Sequence, residues 1–157
     1  MYEPIRTKSV HSMAADQEVP QRSRTEELDI RLAGHLTALL TVTDELRATV
    51  PDPALDDAAE RIAEQVTRLR GGAYPLRAAP TGGGDPAREP RLHRRARMLA
   101  GSALAVATSR GDRAAATLAA ERMEAHEADA AVQELATGGE AARRDERTEE
   151  RGREPRG

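Results

Sequence analysis

The sequence predicts an all-α protein in which four helices form two antiparallel helical hairpins, bundle-like in arrangement, between disordered N- and C-terminal arms. Three observations predict this fold class. Apolar residues recur at intervals of three and four through much of the 157-residue chain, as they do on one face of an α-helix. Glycine and proline stand between those stretches, where helices end and begin. The two ends of the chain have no apolar period, which is typical of disorder.

The first helix is expected to follow an N-terminal arm. Residues 1–24 combine proline, serine and charged residues without an apolar period, so this arm is predicted to be disordered. Thr25 is the expected N-cap of the helix, and the alternative is Ser23, which would form a capping box with Glu26. Pro51 cannot continue the helix. The apolar stripe between these signals consists of Leu28, Leu32, Leu36, Leu39, Val42, Leu46 and Val50.

The second helix is predicted directly after this break. Asp52 followed by Pro53 is typical of an N-cap and a first helical position, and Gly71 with Gly72 is typical of a helix end. Because the connection between the two helices is so short, residues 25–71 are expected to fold back as the first antiparallel hairpin. The stripe of the second helix consists of Leu55, Ala59, Ile62, Val66 and Leu69.

A linker and a second hairpin are predicted next. Residues 72–89 are rich in glycine and proline and are predicted to be the linker. This segment is longer than most connections within a compact domain, so the hairpins could either pack together or move separately. The second hairpin is expected over residues 90–137, with Pro90 at its start and Gly111 and Asp112 as the helix end and the next N-cap. The stripe of its first helix consists of Leu92, Ala96, Leu99, Ala103 and Val106.

The fourth helix has the weakest pattern. Its stripe, formed by Leu118, Ala125, Val132 and Leu135, is interrupted by Arg122 and Asp129, so alanine propensity is its main support. Gly138 and Gly139 are expected to end it. Residues 138–157 alternate arginine with acidic residues, which predicts a charged disordered tail.

Composition excludes several kinds of chemistry. Without cysteine the chain has no disulfide and no thiolate ligand or nucleophile, and its net charge of −3 on 32% charged residues gives no overall basic field for nucleic acid. No apolar run is long enough to cross a membrane, so a cytoplasmic protein is expected. The near absence of lysine is typical of a high-GC bacterial genome. Because phenylalanine and tryptophan are missing, the core is expected to be thin, which favours a homo-oligomer or a complex with another protein.

The densest candidate surface is a group of arginines at the start of the third helix. Positive charge there opposes the helix dipole, so contact with phosphates or with an acidic partner would explain it. Folding about Gly111 offers another explanation, since it places residues 94 and 97 near Glu124, Glu127 and Asp129. Internal neutralisation is the favoured interpretation, because exposed ion pairs are common. The arginines concerned are Arg88, Arg91, Arg94, Arg95 and Arg97.

Other candidate sites have little support in the sequence. The histidines lie far apart and form no HExxH or HxxxH pattern, so no metal site, cofactor site or catalytic site is predicted. The glycine-rich segment 81–86 lacks the residues of a phosphate-binding loop. Ser23 and Thr25 follow arginines at a helix start, where a phosphate would be favoured, which makes them candidate phosphorylation sites. The four histidines are His11, His35, His93 and His126.

These expectations favour a non-enzymatic helical interaction or regulatory protein, similar to an adaptor, that works through protein–protein contacts. Its partner would be another protein or a second copy, held by an apolar, coiled-coil-like face that includes Leu99 and Val106 and by the arginines from Arg88 to Arg97. The alternative is a nucleic-acid-associated regulator that uses the same arginines. An enzyme or a small-ligand sensor is the third possibility and has the least support.

Overall fold

The computed structural model describes residues 22–82 and 84–152. Within these residues the chain forms four helices and no strand, which confirms the all-α prediction. Of the predicted N-terminal arm, residues 1–21 lie outside the described part of the chain. The helices are α1 (Arg24–Thr49), α2 (Pro53–Leu69), α3 (Arg88–Arg110) and α4 (Arg113–Gly152).

Capping side chains define where the first two helices begin. The Ser23 hydroxyl accepts a hydrogen bond from the backbone N–H of Glu26 at 3.2 Å, and the Glu26 carboxylate accepts one from the N–H of Ser23 at 2.9 Å. This capping box makes Ser23 the N-cap, so the alternative start is correct and Thr25 lies in the first turn. Asp52 caps α2, and Pro53 occupies the first turn as predicted.

The two hairpins share one core. Of the two possibilities that the length of the linker left open, packing together is therefore the one that the structure shows. Helix α1 packs against both α2 and α3, and α3 packs against α4. Ion pairs at both ends show that α1 and α3 are antiparallel, since Arg110 contacts Asp29 at 2.8 Å and Arg88 contacts Glu45. Helix α1 supplies mainly leucine to the core, whereas α3 supplies alanine: Ala96, Ala100, Ala103 and Ala107.

The segment between the hairpins is fastened to α1. The Arg77 guanidinium donates to both carboxylate oxygens of Asp44, at 2.5 and 2.9 Å. The backbone N–H of Thr81 donates to the Glu45 carboxylate at 2.9 Å, and Pro75 is buried. This segment therefore lies along α1 instead of separating the hairpins.

Helix α4 differs from the prediction at its far end. The turn before it is as expected, because Gly111 has a φ of 72° and the Asp112 carboxylate accepts a hydrogen bond from the N–H of Ala115. Beyond residue 137, however, α4 continues through the two glycines to Gly152, where the sequence predicted a disordered tail from 138. The side chains of residues 140–152 are exposed, so helix propensity of alanine, arginine and glutamate supports this extension, and packing does not.

Candidate functional site

The arginine-rich surface is largely neutralised within the protein. Arg97 contacts an acidic residue of α4, as the hairpin geometry predicts, whereas Arg88 and Arg91 contact acids outside α4. The pairs of Arg91 and Arg97 are exposed and contribute about 0 to 1 kcal/mol each to stability, whereas the pair of Arg88 with Glu45 is mostly buried. The three pairs are Arg88 with Glu45, Arg91 with Asp85 at 2.7 Å, and Arg97 with Glu127 at 3.3 Å.

Arg94 and Arg95 are the exposed remainder of this surface. Neither forms an ion pair with any described residue, and both side chains point into solvent. Only two of the five arginines that the sequence groups together therefore offer an unpaired positive charge to a partner.

The two apolar residues predicted to bind a partner contribute to the fold itself. Leu99 and Val106 are partly buried and pack against the core. A substitution at either position would therefore disturb the fold and the proposed contact together. They do not form a separate docking face.

Exposed apolar side chains occur instead on the second half of α4. Val132 is 66% exposed and Leu135 is 78% exposed. The contact between Arg97 and Glu127 sets the antiparallel register of α3 and α4, and in this register the first residue of α3, Arg88, lies opposite about residue 136. Val132 and Leu135 therefore lie beside the first turn of α3, on a face of α4 that α3 does not cover, and α4 runs past the end of α3 only beyond about residue 136.

A pair of buried histidines lies between α3 and α4. The Nδ1 atoms of His93 and His126 are 3.1 Å apart, a hydrogen-bonding distance at which one ring donates and the other accepts. The ring centroids are 5.3 Å apart with an interplanar angle of 50°. His93 is 4% exposed and His126 is fully buried. Two imidazoles therefore replace aliphatic packing at this level of the hairpin.

Charged side chains surround the histidine pair. The nearest Asp129 carboxylate oxygen is 3.7 Å from Nδ1 of His93, and a Glu89 oxygen is 3.7 Å from Nε2 of the same ring. On the other side, Arg122 is nearly buried, and within the described residues neither its Nε nor the Nε2 of His126 has a hydrogen-bond partner. Such unpaired polar atoms are costly in a protein interior, by about 1 to 3 kcal/mol each.

The electrostatics keep His126 neutral. Burial lowers the pKa of His126 from 6.5 to about 3, and the positive charge of Arg122 and the neighbouring His93 act in the same direction. Burial also lowers the pKa of the Arg122 guanidinium, which the negative charge of Asp129 partly opposes. At neutral pH the His126 ring is therefore uncharged and keeps a nitrogen lone pair.

Two imidazoles beside a carboxylate offer the donor atoms that divalent transition metals prefer. His93, His126 and Asp129 each contribute one such atom, and these atoms lie within 4.8 Å of one another. Sequence reasoning missed this arrangement because the two histidines are far apart along the chain. The signal was nonetheless present, since the hairpin register about Gly111 places His93 opposite the segment that contains His126 and Asp129.

The two candidate phosphorylation sites have different surroundings. The Ser23 hydroxyl is engaged in the capping box, and the Thr25 side chain is exposed in the first turn of α1. Both remain candidates on sequence grounds alone.

None of the described helices is long and apolar enough to cross a membrane. Comparison with family models, with curated proteins and with solved structures found no match for this chain.

Proposed function

We propose that this protein is a non-enzymatic helical interaction protein that associates with a second copy of itself through the exposed half of α4. The observation that carries the proposal is the exposure of Val132 and Leu135 on the face of α4 that α3 leaves uncovered. Apolar side chains at such a position favour a partner surface that removes them from water.

The spacing of these residues fits a helical partner. Val132 and Leu135 are three residues apart, and the exposed seam continues at intervals of four and three through small residues on either side. This is the heptad spacing of helices that pair side by side, and small residues let the helix backbones approach closely. The seam is formed by Ala128, Val132, Leu135, Gly139 and Ala142.

The cost of forming this helix also favours a partner. Gly138 and Gly139 each disfavour a helix interior by about 1 kcal/mol relative to alanine. Residues 140–152 are exposed, so no contact with the rest of the described protein offsets that cost. Helices in water owe most of their stability to tertiary packing. A second helix along the seam would supply this packing.

The charge pattern favours a second copy as the partner. Between Glu140 and Arg151 acidic and basic residues are mixed along the helix, so the segment carries no strong charge of one sign. Two copies of such a segment can lie side by side without net repulsion and can form ion pairs at the edges of the seam. A strongly acidic or strongly basic partner would have no comparable match here.

The nucleic-acid alternative has less support. Of the five arginines of this surface, three pair with acidic residues. The other two, Arg94 and Arg95, form no ion pair with any described residue. Phosphate binding of useful affinity draws on several basic contacts, since each contributes part of the counterion release.

Sedimentation velocity tests the proposal. The wild-type chain is expected to sediment as a dimer, whereas the double variant Val132→Glu, Leu135→Glu is expected to be monomeric because charges at the seam oppose its burial. Ile30→Glu is the matched control. Ile30 is an exposed apolar residue too, at 50%, but it lies outside the seam. Its position is in the first turns of α1, at the end of the bundle where Asp29 contacts Arg110.

A monomeric wild-type chain would contradict the proposal, as would a double variant that still sediments as a dimer. Circular dichroism of each variant separates loss of association from loss of helix, since the substitutions at exposed positions should leave the core intact.

A further inference from the structure

The geometry of the buried histidine pair fits a metal ion. The Nδ1 atoms of His93 and His126 are 3.1 Å apart, and the Asp129 carboxylate oxygen is 3.7 Å from Nδ1 of His93. Zinc bonds to nitrogen and oxygen of about 2.0 to 2.1 Å imply donor atoms about 3.3 Å apart around a tetrahedral ion. The two distances from Nδ1 of His93 lie close to that value, and all three donor atoms lie within 4.8 Å of one another, so side-chain rotations of Asp129 and the two rings would bring the three donors to one ion.

We infer that His93, His126 and Asp129 form a Zn²⁺ site that joins α3 to α4. The two Nδ1 atoms and one carboxylate oxygen would bind the ion, and solvent would complete the coordination from the side of Asp129, whose side chain is 53% exposed. The proton that joins the two Nδ1 atoms in the metal-free protein would move to Nε2 of the donating ring when the ion binds. This site stands apart from the self-association proposed above, because none of its ligands belongs to the exposed seam of α4.

A neighbouring carboxylate supports the required state of His93. The Glu89 oxygen lies 3.7 Å from Nε2 of His93, on the opposite side of the ring from His126. Histidines that bind metal through one nitrogen commonly direct the other N–H toward a carboxylate, which fixes the tautomer. At 3.7 Å the Glu89 carboxylate forms no hydrogen bond with this ring, but its negative charge favours a proton on Nε2, which leaves the lone pair on Nδ1.

The burial of His126 is the second observation that points to a ligand. This ring is fully buried, yet its Nε2 has no hydrogen-bond partner among the described residues. A hydrophobic residue would fill the same space in the hairpin without burying ring nitrogens. The unpartnered Nε2 itself does not face the proposed ion, but bonds from a cation to Nδ1 of the same ring would offset the cost of burying it.

Zinc binding to the full-length chain, produced without a histidine tag, tests the site. One Zn²⁺ per chain is expected by titration calorimetry, and Mg²⁺ is expected not to bind because it prefers oxygen ligands. A zinc concentration about a hundredfold above the dissociation constant should raise the melting temperature by about 5 to 10 °C. Substituting Co²⁺ should give the visible absorption of a tetrahedral nitrogen and oxygen site.

Matched variants identify the ligands. Asp129→Asn and His93→Gln are each expected to weaken zinc binding about tenfold or more. The controls are Glu127→Gln, an exposed acid on the same helix, and His35→Gln, a histidine outside the cluster, and both should bind zinc as the wild type does.

Because Asp129 is half exposed, its substitution should leave the helical content unchanged, and this keeps the test independent of folding. The inference is overturned if the wild-type chain binds no zinc. It is also overturned if Asp129→Asn and His93→Gln, folded by circular dichroism, bind zinc with the affinity of the two controls.

Discussion

Asp44 is the residue that fastens the inter-hairpin segment to the bundle. Its carboxylate accepts two hydrogen bonds from Arg77 and one from Arg47 at 3.0 Å. Burial acts to raise the pKa of Asp44, but the hydrogen bonds and positive charges of the two arginines outweigh it, so the pKa lies below its ordinary value of 3.8. A paired arginine that approaches a carboxylate in this two-point manner also fixes the orientation of the loop.

Replacing Asp44 with asparagine should therefore destabilise the protein. We expect a loss of about 1.5 to 3 kcal/mol in the free energy of unfolding at pH 7, because hydrogen bonds to a charged group are removed. Because the pKa of Asp44 is lower in the folded state than in the unfolded state, this stabilisation is present above about pH 4 and is lost as the pH falls further. Urea denaturation of both proteins from pH 7 to pH 2 measures the difference, which should narrow only in the acidic range. A difference that stays constant down to pH 2 would contradict the role given to this carboxylate.

Two glycines offer opposite outcomes for the same substitution. Gly111 has a φ of 72°, so alanine there should destabilise the protein by about 1 kcal/mol through left-handed strain. Gly34 lies inside α1 with open space where a Cβ would stand, so alanine there should stabilise it by about 0.5 to 1 kcal/mol. Thermal unfolding of the two variants measures both effects. Equal shifts in melting temperature would contradict the backbone assignments.

At the scale of the helices, the apolar stripes and capping residues predicted most of what forms. The starts of α1 and α2 follow from Ser23 and Asp52, and the break between α3 and α4 follows from Gly111. These signals are local, which is why a sequence shows them. The far end of α4 was not predicted because Gly138 and Gly139 are typical of a helix end, whereas the alanine, arginine and glutamate around them favour continuation.

At the scale of the whole molecule, the contacts between segments were the part that local patterns could not supply. The packing of α1 against α3 depends on Arg77 and Glu45 holding the connecting segment along α1, and no spacing rule connects residues so far apart. The histidine pair is an intermediate case. The hairpin register brings its two members to the same level, but they form no compact metal-binding motif, which is the signal of a metal site that a sequence shows most clearly.

The exposed half of α4 is central to the proposed self-association. The apolar stripes of α1, α2 and α3 are largely buried, whereas Val132 and Leu135 of the α4 stripe stay exposed, as do Met98 and Leu76, which lie outside the stripes. A long helix without a packing partner should open readily in the monomer, because its backbone hydrogen bonds are accessible to water.

Hydrogen exchange of the α4 backbone amides at low and at high protein concentration tests this account most directly. We predict that amides after residue 130 exchange about tenfold more slowly at high concentration, where the second copy covers them, and that Val132→Glu, Leu135→Glu abolishes this protection. Exchange in the core of α1 should not depend on concentration. Rapid exchange over residues 131–152 at every concentration would contradict the proposal that this segment is the interface.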